Sequence, residues 1–130
     1  MVKRLVATLA LLMAATSARA DWTRGWDTTD TVLQLAFTAT TAVDWLQTVH
    51  FTQRKIGGYQ HEETNPVLGR YPSRAWVNTA IPLSIVGHAL VSWLLPKPYR
   101  AMWQASWIGV EAYAVGRNFG AGVSVSMPWS

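Results

Sequence analysis

From Ala75 to Leu95 the chain runs twenty-one residues without a formal charge, between Arg74 on one side and Pro96-Lys97-Pro98 on the other. A helix rising about 1.5 Å per residue needs about that length to cross about 30 Å of hydrocarbon, so the segment is written for lipid. Charge is scarce elsewhere too: 14% of the 130 residues are charged, and the acidic and basic residues bunch between apolar stretches. A soluble domain carries about a quarter charged residues. The net charge of +4 does not point to nucleic acid, because Lys and Arg sit at the edges of apolar segments rather than clustered on one face. That edge placement is explained by membrane orientation and by contact with anionic headgroups. The absence of Cys excludes disulfides, thiolate metal sites and cysteine nucleophiles.

Residues 1 to 20 read as a secretory signal peptide. Lys3 and Arg4 form the basic region, Leu5 to Ala15 the apolar region, and Ser17-Ala18-Arg19-Ala20 puts small residues where a peptidase inspects. The apolar region is too short to span a bilayer, which favours a cleaved signal over a retained anchor and a mature chain starting at Asp21. The expected fold is therefore all-α: an integral membrane bundle of three transmembrane helices behind a cleavable signal, occupying residues 21–130. The spans fall at about 31–51, 75–95 and 99–116, joined by a cytoplasmic loop over 52–74. Pro82 should kink the second span.

Orientation follows from the loops. The 52–74 stretch holds Arg54, Lys55, Arg70 and Arg74, whereas the turn between the second and third spans holds only Lys97 and Arg100. The longer loop is therefore cytoplasmic, the mature N-terminus outside and the C-terminus inside, which places the chain in a bacterial inner membrane with lipid as its first partner. Trp76, Trp93 and Trp103 fall near span ends, where an amphipathic ring settles at headgroup level, while Trp45 and Trp107 lie deeper and read as packing. In the third span Ala101, Ala105, Gly109, Ala112, Gly116 and Gly120 form a small-residue seam suited to close helix packing. Gln104, Glu111 and Asn118 recur every seven residues beside it, a polar stripe that belongs inside the bundle.

The first span carries a matching polar face in Thr41, Asp44, Gln47 and Thr48. Asp44 and Glu111 lie roughly 12 and 9 Å from the cytoplasmic end of their helices at about 1.5 Å per residue, and Asn78 falls in the same layer. In the loop, Asn65-Pro66 reads as a helix N-cap with Pro at the first helical position, preceded by His61, Glu62 and Glu63. If the loop folds back under the bundle, these groups face Asp44 and Glu111 across a cavity. Asp44, Glu63 and Glu111 are then candidate catalytic carboxylates, Thr48, Asn65, Asn78 and Asn118 candidate binding groups, and His61, Glu62 and Glu63 candidate ligands for a divalent cation. The alternative is that the carboxylates are satisfied by Thr, Gln, Asn or Arg117 and fix helix register. His61-Glu62 is no zinc-protease motif, because Asn65 stands where its second His is needed. His50 and His88 read as packing residues, Gly57-Gly58 as a turn, and the tail from Ala121 to Ser130 as irregular.

Asp44 with Gln47-Thr48, the run Glu63-Thr64-Asn65-Pro66-Val67-Leu68-Gly69, and Asn118 with Gly120 together resemble a family of small bacterial multi-pass membrane proteins. Its members carry an Asp/Thr-bearing first helix, a Glu-x-Asn-Pro segment and an Asn-bearing last helix. The resemblance covers most of the mature chain and implies importance for Asp44, Glu63, Asn65 and Asn118. The family has no established activity, so no reaction follows from it.

Two functions fit. One is a non-enzymatic structural, assembly or accessory factor that meets a second copy or a membrane-protein partner. The other is a membrane-embedded enzyme acting on a lipid-linked or phosphorylated substrate at the cytoplasmic interface, with the carboxylates as metal ligands or acid/base groups. A pore-forming or lysis protein would share the topology, but its charged tail cluster is missing here.

Overall fold

The computed structural model describes residues 25 to 129. The signal-peptide reading of residues 1 to 20 and the start of the mature chain at Asp21 lie outside the described residues. Within them the fold is all-helical, with no strand: α1 spans Thr28–Gln53, α2 Arg74–Leu94 and α3 Lys97–Gly120. Each helix lies over one of the three expected segments. Only α2, however, is long and apolar enough to cross a membrane by length and composition, and just 28% of its apolar window is buried. That exposure is unlike the core helix of a soluble protein. The composition of α1 and α3 is diluted by Asp30, Asp44 and many Thr in the one, and by Lys97, Arg100, Glu111 and Arg117 in the other.

Local chemistry sets the helix ends. At the start of α1, Asp27 accepts from the Asp30 amide (3.0 Å) while Asp30 accepts from the Asp27 amide (2.9 Å), a reciprocal cap that satisfies two otherwise orphaned donors. After α1 the chain reverses at Gly57 (φ 58°) and Gly58 (φ 86°), with Ile56 and Tyr59 exchanging backbone hydrogen bonds of 2.9 and 3.1 Å. Two consecutive positive φ angles make this the expected turn, of a kind only glycine enters without strain. Ser73 caps α2 through its hydroxyl on the Trp76 amide. α2 continues through Pro82, and only Leu95 and Pro96 separate it from α3.

α1 is the middle of the assembly: it packs most extensively on α3, then on α2, while α2 and α3 meet least. α1 and α3 run parallel. An apolar cluster of Val49, Leu68, Val77, Ala80 and Ile81, with Trp45 against it, fills one end between α1, α2 and the loop. Elsewhere the interior is polar: Asp30, Thr41, Gln47, Thr48, His88, Ser92, Arg100, Gln104 and Asn118 are all buried. The exterior is correspondingly apolar, with Leu35 63%, Leu83 62%, Trp93 64%, Met102 66% and Tyr113 71% exposed. This inverts the usual arrangement of a soluble domain.

Two packing expectations are corrected. Of the small-residue seam on α3, Ala105, Gly109, Ala112, Gly116 and Gly120 are all exposed, only Ala101 being half-buried, and a Cβ at Gly109, Gly116 or Gly120 would meet nothing within 4 Å. The polar stripe takes the α1-facing side instead, because the Gln104 and Asn118 amides find hydrogen-bond partners there and the seam has none to offer. Trp103, expected at headgroup level, is half-buried and stacks on His88 with ring centroids 5.5 Å apart.

Candidate functional site

The end of the bundle where α1 finishes, α2 begins and α3 finishes gathers most of the expected polar residues. Gln47 and Asp44 lie three residues apart on α1 and so share a face. The Asn118 side-chain amide reaches both from α3, donating to Asp44 Oδ1 (3.3 Å) and Gln47 Oε1 (3.2 Å). Gln47 returns a donor to the Val115 carbonyl at 3.3 Å, inserting itself into the last turns of α3. One turn further along α1, the Thr48 hydroxyl donates to Glu63 Oε2 at 3.4 Å. The loop therefore does fold back against the bundle.

Glu63 is held there by its own backbone neighbours. Its Oε1 accepts from the amides of Thr64 (2.7 Å) and Asn65 (2.8 Å), and its amide donates to the Arg70 carbonyl (2.9 Å). Asn65 does not start a helix. Its side chain accepts from the Val67 amide (3.0 Å), its carbonyl accepts from Leu68 and Gly69, and the chain leaves after one turn through Gly69 at φ 81°. Pro66 suits such a turn, but the positive φ at Gly69 stops its propagation.

Asp44, Glu63 and Glu111 are close enough for their charges to act on one another. None of them joins an ion pair among the described residues; the pairs are Arg70 with Glu62, Lys97 with Asp27 and Arg100 with Asp30. Glu111 Oε2 is buried without a hydrogen-bond partner. Arg117, considered as a partner for these carboxylates, donates to the Thr64 hydroxyl instead (3.2 Å).

His61 and Glu62 do not join Glu63. Glu62 is exposed and turns to Arg70 (3.2 Å) and to the Tyr71 hydroxyl, which donates to it at 2.7 Å. That bond pushes the Tyr71 pKa above its usual value. The His61 ring packs on Phe51, centroids 4.7 Å apart. The three thus point to separate neighbours, and among the described residues no group of three or more His, Asp or Glu side chains is arranged to hold a metal ion. Asn78 belongs to the packing layer: it accepts from Trp45 Nε1 (2.8 Å) and donates to the Pro128 carbonyl (3.0 Å). The same carbonyl receives Arg74 Nε at 2.8 Å, so the irregular tail is strapped across this end, with Ser126 also bonded to His50 Nδ1 at 2.9 Å.

The opposite end holds an ion pair that spacing alone does not reveal. Arg100, expected as an interfacial charge in the turn, is 2% exposed and donates Nη1 to Asp30 at 2.8 Å. Its Nε donates to the Ser92 carbonyl (2.7 Å) and its Nη2 to the Leu95 carbonyl (3.0 Å). Those are carbonyls of the last turn and cap of α2, which lack helical partners and favour a cation. The guanidinium also stacks over Trp26, 5.5 Å from the ring centroid. One residue therefore ties the start of α1, the end of α2 and the start of α3. Outside it, Lys97 pairs with Asp27, and that bond holds the Asp27 carboxyl below its usual pKa.

Fold and site define an all-helical chain with one candidate membrane span, a polar interior and an apolar exterior. No family model matches the sequence, and neither a curated protein nor a solved structure matches it.

Proposed function

We propose that the chain is a three-span membrane protein of the bacterial inner membrane, with the loop and C-terminus cytoplasmic, acting as a non-enzymatic assembly or accessory factor. The observation that carries this reading is the inversion of polarity in α1 and α3. α1 and α3 are too polar on average to pass as spans. Yet their polar groups turn inward, as Asp30, Gln47, Arg100, Gln104 and Asn118 do, while Leu35, Met102, Val110 and Tyr113 face outward. In hydrocarbon every polar group must find its partner inside the protein, and charged groups face the bundle interior.

The non-enzymatic reading is supported by the bonds of Asn118 to Asp44 and Gln47, of Thr48 to Glu63 and of Trp45 to Asn78, which suit groups that fix helix packing. The outward seam of α3 suits a second helix, of another copy or of a membrane-protein partner.

Because the chain has no Cys, single cysteines report topology directly. With Thr29→Cys, Gln60→Cys and Ser124→Cys in intact cells, an impermeant maleimide should label only position 29, and all three after the membrane is opened. Labelling of position 60 from outside refutes the topology, and release of the protein by alkaline carbonate refutes the bundle. Asp44→Asn and Glu111→Gln should preserve both integration and the assembly role. A selective loss of that role in well-integrated variants would favour the enzyme reading.

A further inference from the structure

One face of α1 carries Asp30, Gln34, Phe37, Thr41, Asp44 and Thr48, in alternating steps of three and four, while Val49 and Phe51 are buried beside its end. That spacing lines one face of a helix for about 27 Å at about 1.5 Å per residue, close to the thickness of a bilayer core. Every position but Phe37 is polar. At Phe37 the polarity passes to α2: the His88 ring stacks on it at 3.6 Å, and His88 Nδ1 lies 2.9 Å from Gln34 Oε1. Facing an amide oxygen, Nδ1 carries the hydrogen, which leaves Nε2 as an acceptor.

Five side-chain atoms along this line are buried without a hydrogen-bond partner: Thr41 Oγ1, His88 Nε2, Trp103 Nε1, Gln104 Oε1 and Glu111 Oε2. Thr41, His88 and Gln104 are each less than a tenth exposed. Their needs are complementary, since Trp103 Nε1 can only donate, the His, Gln and Glu atoms can accept, and the Thr hydroxyl does both. A buried polar atom left unpaired costs about 1 to 3 kcal/mol, and internal water making two to four hydrogen bonds is the usual remedy.

We propose that a file of internal water follows this face between α1 and α3, and that with His88, Asp44 and Glu111 it relays protons through the bundle. Asp30 and Arg100 lie buried at one end of the line as an ion pair without net charge, just inside the Asp27–Lys97 mouth, and Thr48 lies buried at the other, just inside Glu63. A proton taken up at one mouth displaces another along the hydrogen-bonded line, so the sum is transfer of H⁺ from one face to the other, with no bond in the protein gained or lost. The driving force is whatever proton gradient the membrane holds. The inference rests on the three-span bundle proposed above.

The test uses the purified chain in vesicles of neutral and anionic phospholipid with a trapped pH-sensitive dye, a potassium gradient and valinomycin. Wild type should dissipate an imposed pH difference several-fold faster than empty vesicles. Glu111→Gln and Thr41→Val should each slow it towards the empty-vesicle rate, with unchanged helical circular dichroism. Protein retained after carbonate extraction but no faster than empty vesicles overturns the relay and leaves the bundle standing. Protein removed by carbonate overturns both. Flux that ignores every variant in the line overturns the assigned route.

Discussion

Replacing Arg100 with Met probes the strongest tie in the fold. The guanidinium is 2% exposed and holds Asp30 together with the carbonyls of Ser92 and Leu95. Removing one member of a buried pair leaves an uncompensated charge and costs about 3 to 5 kcal/mol. The two abandoned carbonyls can raise this, at about 1 to 3 kcal/mol for each buried acceptor left unpaired. Asp30→Asn keeps the Asp27 amide satisfied through its amide oxygen while removing the charge. In a double-mutant cycle, Asp30→Asn in the Arg100→Met background should therefore cost markedly less than in wild type, with a coupling energy of about 2 kcal/mol. The assay is reversible unfolding in mild detergent by added denaturing detergent, followed by helical circular dichroism for all four proteins. Additive effects within about 0.5 kcal/mol would refute a mutually dependent pair. An Arg100→Met cost below about 1 kcal/mol would show the side chain to be solvated.

Three further outcomes follow from the other contacts. Asn118→Ala should destabilise by about 1 to 3 kcal/mol in the same assay, because Asp44 and Gln47 lose their shared donor. Glu63→Ala should speed amide hydrogen exchange at Thr64 and Asn65 and through the turn to Gly69, leaving α2 protected; equal exchange would show that the carboxylate does not hold the loop. Asp27 has its pKa depressed by Lys97, so the pair's contribution is present above the ordinary carboxylate value and fades as pH falls through the lowered one. Lys97→Ala should raise the Asp27 midpoint seen by NMR while scarcely moving the melting temperature, as expected of an exposed pair.

The three helices were legible because their positions are set by chemistry that can be read locally, such as the charge-free run ending before Pro96, although α3 runs on past Arg117-Asn118 to Gly120. The inward face of α1 was partly legible, since Thr41, Asp44 and Thr48 share one side by spacing alone. What spacing cannot give is which side of a helix meets which neighbour. The seam of α3 and its polar stripe are about 125° apart, at about 100° per residue, and only the position of α1 decides that the stripe is covered. Arg100 was misjudged for a related reason. A Lys or Arg beside a proline turn normally reaches water, and only Asp30, seventy residues earlier, draws this one inside. His61 and Glu62 directly precede Glu63 in sequence, but extended chain sends successive side chains to different sides.

Across the α1–α3 boundary the partners keep a nearly fixed numerical offset: Asp27 with Lys97, Asp30 with Arg100, Asp44 and Gln47 with Asn118. Two parallel rods are thus pinned near both extremities by direct contacts, to which the loop adds Glu63 on Thr48 and Thr64 on Arg117. Lengthening the turn at Gly57-Gly58 by a residue should leave the direct pins engaged. Adding a residue inside α1, between Asp30 and Asp44, would turn one extremity by about 100° relative to the other. The rods could then honour the ion pair or the amide cluster, but not both.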